Sequence, residues 1–284
     1  MRLLPRFRLL MLLGLLLGTG RSLADEPGLT RDLHAWGRFY RHTGAWKRYR
    51  VTTETLDEKG AVVNTSISET KTSLEAVDAE GVTLRIEAVM EIAGKQLPAE
   101  PRIVRQGFHG DTVPGKVAVK SVGMSQVVIE GQTIACHVEQ SESNGSQGKT
   151  VTRTYYTRAL APYVLRRESK TTDADGTTTL EESTFKVISL DRPCKILPHV
   201  KRAAWVEAVT TTPNGSTVTR AFTSPDVPGG VICHTADEHD KSGRLVRRSN
   251  LVLVEFGLDP EQEDSGFFGR VRGRGRRAHR SGSY

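Results

Sequence analysis

Two cysteine–histidine neighbours, Cys136-His137 and Cys233-His234, are the residues of this sequence with the clearest capacity for metal chemistry. Thiolate sulfur and imidazole nitrogen are the usual ligands of structural zinc. Neighbours in a strand point to opposite faces of a sheet, so one pair cannot chelate one ion with both side chains. No ligand spacing of a zinc site occurs, and we predict neither a metal nor a cofactor. In a strand, Ile134, Cys136 and Val138 point to the same face. Cys136 is therefore predicted to be a small core residue.

A second candidate for cation binding is the acidic segment Asp237-Glu238-His239-Asp240. It lacks the oxygen-ligand spacing of a calcium loop, and a solvated hairpin tip is the favoured interpretation. The sequence contains no Gly-x-Ser-x-Gly, His-Glu-x-x-His or phosphate-binding glycine loop. We therefore predict that the chain is not an enzyme. No catalytic residue is predicted, and the pattern identifies no ligand-binding residue.

The first 24 residues have the pattern of an export signal. Arg2, Arg6 and Arg8 precede an apolar run over residues 9–17, and Ser22-Leu23-Ala24 supplies small residues for cleavage. The run is shorter than the roughly 20 residues that span a bilayer. We expect a mature protein in the periplasm or outside the cell. There, the three cysteines could form one disulfide and one free thiol, or remain three buried thiols.

The other end of the chain is rich in arginine and glycine. Residues 270–284 contain six arginines and no acidic residue: Arg270, Arg272, Arg274, Arg276, Arg277 and Arg280. The formal charge is +7; without the leader's four arginines it is +3, and without these six it is −3. The basic character therefore belongs to two appendages, and we expect no nucleic-acid partner. We predict a disordered tail over 257–284 that could contact an anionic membrane or polymer surface.

The elements between these appendages are predicted to be mainly strands. One amphipathic helix is expected over residues 30–41, because Leu33, Trp36 and Tyr40 fall on one helical face. Alternating, β-branched segments bounded by turn residues predict an antiparallel meander that forms a half-barrel or a sandwich. The predicted strands are 46–56, 61–73, 82–92, 101–108, 113–120, 132–141, 149–157, 163–172, 177–190, 203–212, 216–223, 230–236 and 244–256.

An internal repeat is the most informative pattern. Val151-Thr152-Arg153-Thr154-Tyr155 corresponds to Val218-Thr219-Arg220-Ala221-Phe222 at an offset of 67 positions. Downstream, a proline-containing corner at 161–165 parallels another at 228–232. Matched turns at one offset favour partial duplication over chance similarity between threonine-rich strands. We predict a helix plus half-barrel over 25–190, a linker over 191–202 that contains two prolines, and a partial β repeat over 203–256 that packs on the first.

A resemblance to a known family rests on Glu130-Gly131-Gln132-Thr133-Ile134-Ala135-Cys136-His137-Val138, followed by a tyrosine-containing strand and a proline-corner strand. This pattern resembles the half-barrel proteins of the periplasm that carry and sort outer-membrane lipoproteins (the LolA-like type). The resemblance covers residues 30–190 and implies a leading helix on a curved sheet. The chain lacks the further helices that cover the concave face in that family, so no ligand-contacting residue is carried over.

These patterns predict an exported, non-catalytic binding protein of the cell envelope, which holds a lipid or another apolar ligand, or part of an envelope protein, on a concave β-sheet. The alternative is a structural or surface-interaction protein that its basic C-terminal tail tethers to an anionic envelope. The sequence leaves the ligand and the oligomeric state open.

Overall fold

The computed structural model describes residues 30–92, 95–109, 117–145 and 148–258. The predicted signal peptide and all six tail arginines lie outside the described residues. Fourteen strands form the described fold: β1 Trp46–Leu56, β2 Val62–Val77, β3 Gly81–Ile92, β4 Lys95–Pro98, β5 Arg102–Gly107, β6 Ala118–Ile129, β7 Gln132–Gly145, β8 Gly148–Tyr156, β9 Val164–Thr172, β10 Thr179–Ile196, β11 His199–Thr212, β12 Gly215–Thr223, β13 Val231–Asp240 and β14 Leu245–Gly257. Within these residues no helix is long and apolar enough to cross a membrane.

All of these strands belong to one open antiparallel sheet, which confirms the mainly β prediction. The strand order is β4-β3-β2-β1-β14-β13-β12-β11-β10-β9-β8-β7-β6, and β5 pairs with β3. Apart from the β1–β14 pairing, the order follows the chain as a meander. A sandwich would need two sheets, so that alternative is wrong for the described residues.

The predicted N-terminal helix is also wrong. Two short 3₁₀ turns, Arg31–Leu33 and Gly37–Phe39, occupy its place. The Nδ1 atom of His34 accepts the backbone N–H groups of Trp36 and Gly37, at 3.3 and 3.2 Å, and so competes with helical hydrogen bonds. A Cβ on Gly37 would lie 2.4 Å from the carbonyl oxygen of Arg31, so this compact path requires glycine.

Residues 31–39, the N-terminal segment, pack against strands from both ends of the sheet order. Trp36 and Phe39 join a core with Leu74 and Val82 of β2 and β3. Leu33 packs with Tyr156 of β8, nine strand positions from β3 in the sheet order. Such positions would be about 40 Å apart in a flat sheet at roughly 4.8 Å per strand. The sheet must therefore curl strongly, with the N-terminal segment inside the curl at one end.

The two faces of the curled sheet differ in chemistry. Directly opposed residues of antiparallel strands share a face, and one row on the concave face crosses nine strands. Its members are mostly small or hydroxylated: Thr154, Arg167, Phe185, Ala208, Thr219, Ala236, Ser249, Thr53 and Ser66. The convex face carries ion pairs such as Lys186–Glu207 and Arg248–Asp237. This row thus lies in a hydroxyl-lined trough, whereas the neighbouring row through Val187, Val206, Ala221 and Leu251 is mostly apolar.

The hairpin of β10 and β11 continues through residues 191–202, where the sequence predicts a linker. Pro193 pairs with Arg202 in the ladder, just beyond a register shift between Ser189 and Arg192. A bulged stretch tolerates the missing N–H of Pro193, and Pro198 lies in the turn between the two strands, so neither proline interrupts the sheet.

Candidate functional site

Two corner loops have matching backbone geometry. The first corner is residues 157–164, between β8 and β9, and the second is residues 224–231, between β12 and β13. Thr157 N–H donates to the carbonyl of Tyr163 at 2.8 Å, and Ser224 N–H donates to that of Gly230 at 2.7 Å. Tyr163 and Gly230 both have positive φ, 68° and 77°. Each of these positions in the second corner lies 67 residues after its counterpart in the first.

The N-terminal segment bridges the two corners. Gly229 N–H donates to the carbonyl of Ala35 at 3.1 Å, and Arg38 Nη1 donates to the Tyr163 hydroxyl at 3.4 Å. A Cβ on Gly229 would lie 2.6 Å from Trp36 Nε1, so only glycine allows this close approach. The corners and the segment together fix the walls of a cavity.

That corner cavity has a volume of about 280 Å³. Small-molecule pockets commonly measure about 300–1,000 Å³, so it suits a small ligand such as a short alkyl chain or a compact aromatic molecule. The corners, the N-terminal segment, the end of β5, β9 and β10 all contribute to its lining. Apolar side chains form most of its wall: Leu33, Phe108, Tyr163, Val164, Phe185 and Val231.

The main polar group in this wall is the guanidinium of Arg167. Burial lowers the pKa of Arg167, with no acidic group contributing to the shift. Its Nε is shielded from solvent and has no hydrogen-bond partner among the described residues. A buried cation without a counter-charge costs several kcal/mol, because its lost hydration is not replaced.

His34 lies beside Arg167 in the same wall. Burial and the neighbouring charge of Arg167 lower the pKa of His34 to about 4. The ring is therefore neutral at pH 7, and because Nδ1 accepts two backbone N–H groups, Nε2 carries the proton. Arg38 supplies a second guanidinium, 5.6 Å from the centroid of the Tyr163 ring. None of the described lining residues is acidic.

A second buried cation, Lys47 of β1, lies next to the cavity behind Gly229. Its Nζ is 4.8 Å from the ring centroids of both Trp36 and Tyr49. Burial lowers the pKa of Lys47 to about 7. The aromatic faces attract an ammonium and compensate part of its desolvation. Lys47 thus ties the N-terminal segment to β1 and does not line the cavity.

The residues that the sequence analysis weighed for metal chemistry lie away from this cavity. Cys136 is 1% exposed in the core, which confirms its predicted packing role, and burial raises its thiol pKa. His137 stacks on Tyr156 at 5.6 Å. Among the residues that the structure describes, no group of three or more His, Cys, Asp or Glu side chains could hold an ion.

The acidic segment at 237–240 is satisfied by cations of the protein itself. Asp237 accepts from Arg248 Nε at 3.0 Å, and Glu238 pairs with Arg247. Asp240 accepts the backbone N–H of Ser242 at 2.9 Å, as in an Asx turn. Only Asp240, the last residue of β13, lies at the predicted hairpin tip, because Asp237, Glu238 and His239 pair within that strand.

Sequence reasoning missed Arg167, although a signal was present. In Leu165-Arg166-Arg167-Glu168, a strand must turn one of the two neighbouring arginines inward. Arg166 is the outward one and pairs with Glu168. Leu165 and Arg167 are two positions apart and point to the same face of β9. Because Leu165 is 0% exposed, Arg167 is the inward arginine. No pattern in the sequence indicates that the N-terminal segment closes the site.

Comparisons with known proteins add little to this geometry. The sequence matches no protein-family model and no curated protein. A solved structure from Parabacteroides distasonis, provisionally called a lipoprotein, is 13% identical with a TM-score of 0.33; the match covers 77% of this chain and 98% of that one. Another, from Bacteroides fragilis, provisionally called an exported protein with a YmcC-like fold, is 12% identical with a TM-score of 0.30 and coverages of 74% and 95%.

Proposed function

We propose that this chain is an exported, non-catalytic binding protein of the cell envelope that holds a small apolar ligand in the corner cavity. The observation that carries the proposal is a cavity whose wall consists mostly of apolar side chains, next to a trough lined by hydroxyls. Burial of apolar ligand surface would supply the affinity, at about 25 cal/mol per Å².

The sequence pattern predicts a ligand on the broad concave sheet. The trough offers hydroxyl pairs such as Thr152–Ser169, 2.9 Å apart, and Thr53–Ser249, 3.0 Å apart. Such a surface gives an acyl chain little apolar area to bury. The proposed site is therefore the end of the curled sheet where the N-terminal segment lies. The corner loops at 157–164 and 224–231, which belong to the predicted duplication, form two of its walls.

A neutral fluorescent probe tests this function. N-phenyl-1-naphthylamine should bind the purified protein saturably, with one site and enhanced emission. Ala35→Trp, at an exposed lining residue, should fill the cavity and weaken probe binding at least tenfold. Ala118→Trp, at an exposed position of β6, is the matched control and should bind like the wild type. Unsaturable binding, or identical binding by the Ala35 variant, would refute the proposal.

The alternative is a surface-interaction protein that the arginine tail tethers to an anionic envelope. Its support is sequence alone: six arginines in a segment without acids. Sedimentation with vesicles of phosphatidylglycerol should then reverse with salt and disappear on deletion of residues 270–284. A truncated protein that still sediments would eliminate this role without affecting the cavity proposal.

A further inference from the structure

We infer that the ligand of the corner cavity is an anionic amphiphile, whose negatively charged oxygen head pairs with Arg167 while its short apolar tail fills the cavity. The inference rests on the proposed function and adds the chemical class of the ligand. Arg167 lines the cavity and its buried Nε lacks a partner among the described residues.

The polar groups of the wall are complementary to an anion. Arg167, Arg38 and the Nε2–H of neutral His34 are all donors, and none of the described lining residues carries a carboxylate. Glu139, the nearest buried carboxylate on the same face, accepts the Tyr156 hydroxyl at 3.0 Å and lies two strands from Arg167. A ligand oxygen anion would provide the counter-charge that the fold leaves out, and a guanidinium binds carboxylate or phosphate bidentately.

The position of Arg167 separates the two ends of the ligand. Across the strands it is opposed by Thr154 on one side and Phe185 on the other. The hydroxylated trough continues from Thr154, whereas Phe185, Val164 and Leu33 belong to the apolar wall. A head at Arg167 therefore lies at the boundary between polar and apolar surface. A short amphiphile fits this boundary, and a purely apolar ligand would leave the guanidinium unpaired.

Three ligands with the same tail test the inference. Nonanoate, octyl phosphate and octan-1-ol carry the same octyl chain and differ only in the head, and calorimetry or displacement of the neutral probe gives their affinities. We expect at least one of the anions to bind the wild type at least tenfold more tightly than the alcohol. The better anion identifies the head as carboxylate or phosphate. Equal affinities, or preference for the alcohol, would overturn the inference.

Variants assign the preference to Arg167. Arg167→Met keeps the length and removes the charge, so the anion preference should vanish while octan-1-ol still binds. Arg166→Met changes the neighbouring arginine on the opposite face and should retain the preference. Survival of the preference in Arg167→Met would overturn the inference. If octan-1-ol binds and no anion preference exists, only this inference fails; if no probe or ligand binds, the proposed function fails as well.

Discussion

Buried Lys47 illustrates how one residue makes the stability of the fold depend on pH. Its pKa is about 7 in the folded protein and 10.5 as a free side chain. Between these values the unfolded chain binds a proton that the folded chain lacks, so the free energy of unfolding rises with pH. The slope is about 1.4 kcal/mol per pH unit at most, because one proton is involved.

We predict that Lys47→Met raises the melting temperature at pH 7 and removes most of this slope. The wild type should gain up to about 3 kcal/mol between pH 7 and 9.5, and the variant should gain clearly less. Urea unfolding across this range measures both curves, with Lys59→Met in an exposed turn as the control. Parallel curves for wild type and Lys47→Met would show that the amine is not desolvated.

A second residue-scale prediction concerns the cysteines, whose pairing the sequence leaves open. The side chains of Cys194 and Cys233 influence each other's pKa, so they are neighbours, and both are partly exposed, whereas Cys136 is buried. Oxidised glutathione should therefore link Cys194 to Cys233: two thiols lose two protons and two electrons, and one glutathione disulfide becomes two thiols. Chain-entropy models give such a bond about 2–4 kcal/mol of stability.

Peptide mapping and thiol counting after denaturation test this pairing. The count should fall from three thiols to one, with the remaining thiol on Cys136. Cys136→Ala should form the same linked peptide, and Cys194→Ala should form none. A linked peptide that contains Cys136, or an unchanged count of three, would contradict the predicted pair.

At the scale of elements, the docking of the N-terminal segment depends on one glycine. Gly229 has φ +70°, and a Cβ there would lie 2.3 Å from Lys47 Nζ and 2.6 Å from Trp36 Nε1. We predict that Gly229→Ala lowers the free energy of unfolding by more than 2 kcal/mol and weakens probe binding, because the segment must move away from the second corner.

Gly60 provides a control with almost the same backbone. Its φ is +80°, but a Cβ there would meet no atom within 4 Å. Gly60→Ala should therefore cost only the backbone strain, about 1 kcal/mol, and should leave probe binding unchanged. Equal losses of stability in the two variants, measured by urea unfolding, would show that φ alone matters and that the segment does not press on Gly229.

The elements that the sequence predicted well are those whose pattern is local. β1 Trp46–Leu56 has the predicted bounds, since alternation and Asp57-Glu58-Lys59-Gly60 define it. The N-terminal segment has helical spacing of its apolar residues, but His34 and Gly37 favour tight turns. β6 Ala118–Ile129 overlaps the predicted strand 113–120 only at its start, because its exposed residues show no buried face. Tertiary context decides both cases.

At the scale of the whole molecule, the candidate site depends on contacts that no local pattern encodes. Arg167 of β9, Phe108 after β5 and His34 of the N-terminal segment come from distant parts of the chain. They meet because the sheet curls, and curvature accumulates from twist and bulges over many strands. The repeat at an offset of 67 predicted two similar corners, but not that the N-terminal segment joins them. A mainly β fold could thus be predicted from the sequence, whereas the cavity could not.

An open sheet also has free edges, and β6 is the edge with the most exposed apolar side chains. Among the described residues β6 pairs only with β7, and Val122, Met124 and Val128 are 53%, 63% and 66% exposed. Unpaired strand edges with apolar side chains promote association, although the bulge at Gly123 limits it. We predict weak self-association that Met124→Lys with Val128→Lys reduces, measured by sedimentation velocity over a concentration series. Val252→Lys, at a 48% exposed position of β14 that pairs on both sides, should not reduce it, and equal effects of these variants would assign the association to charge alone.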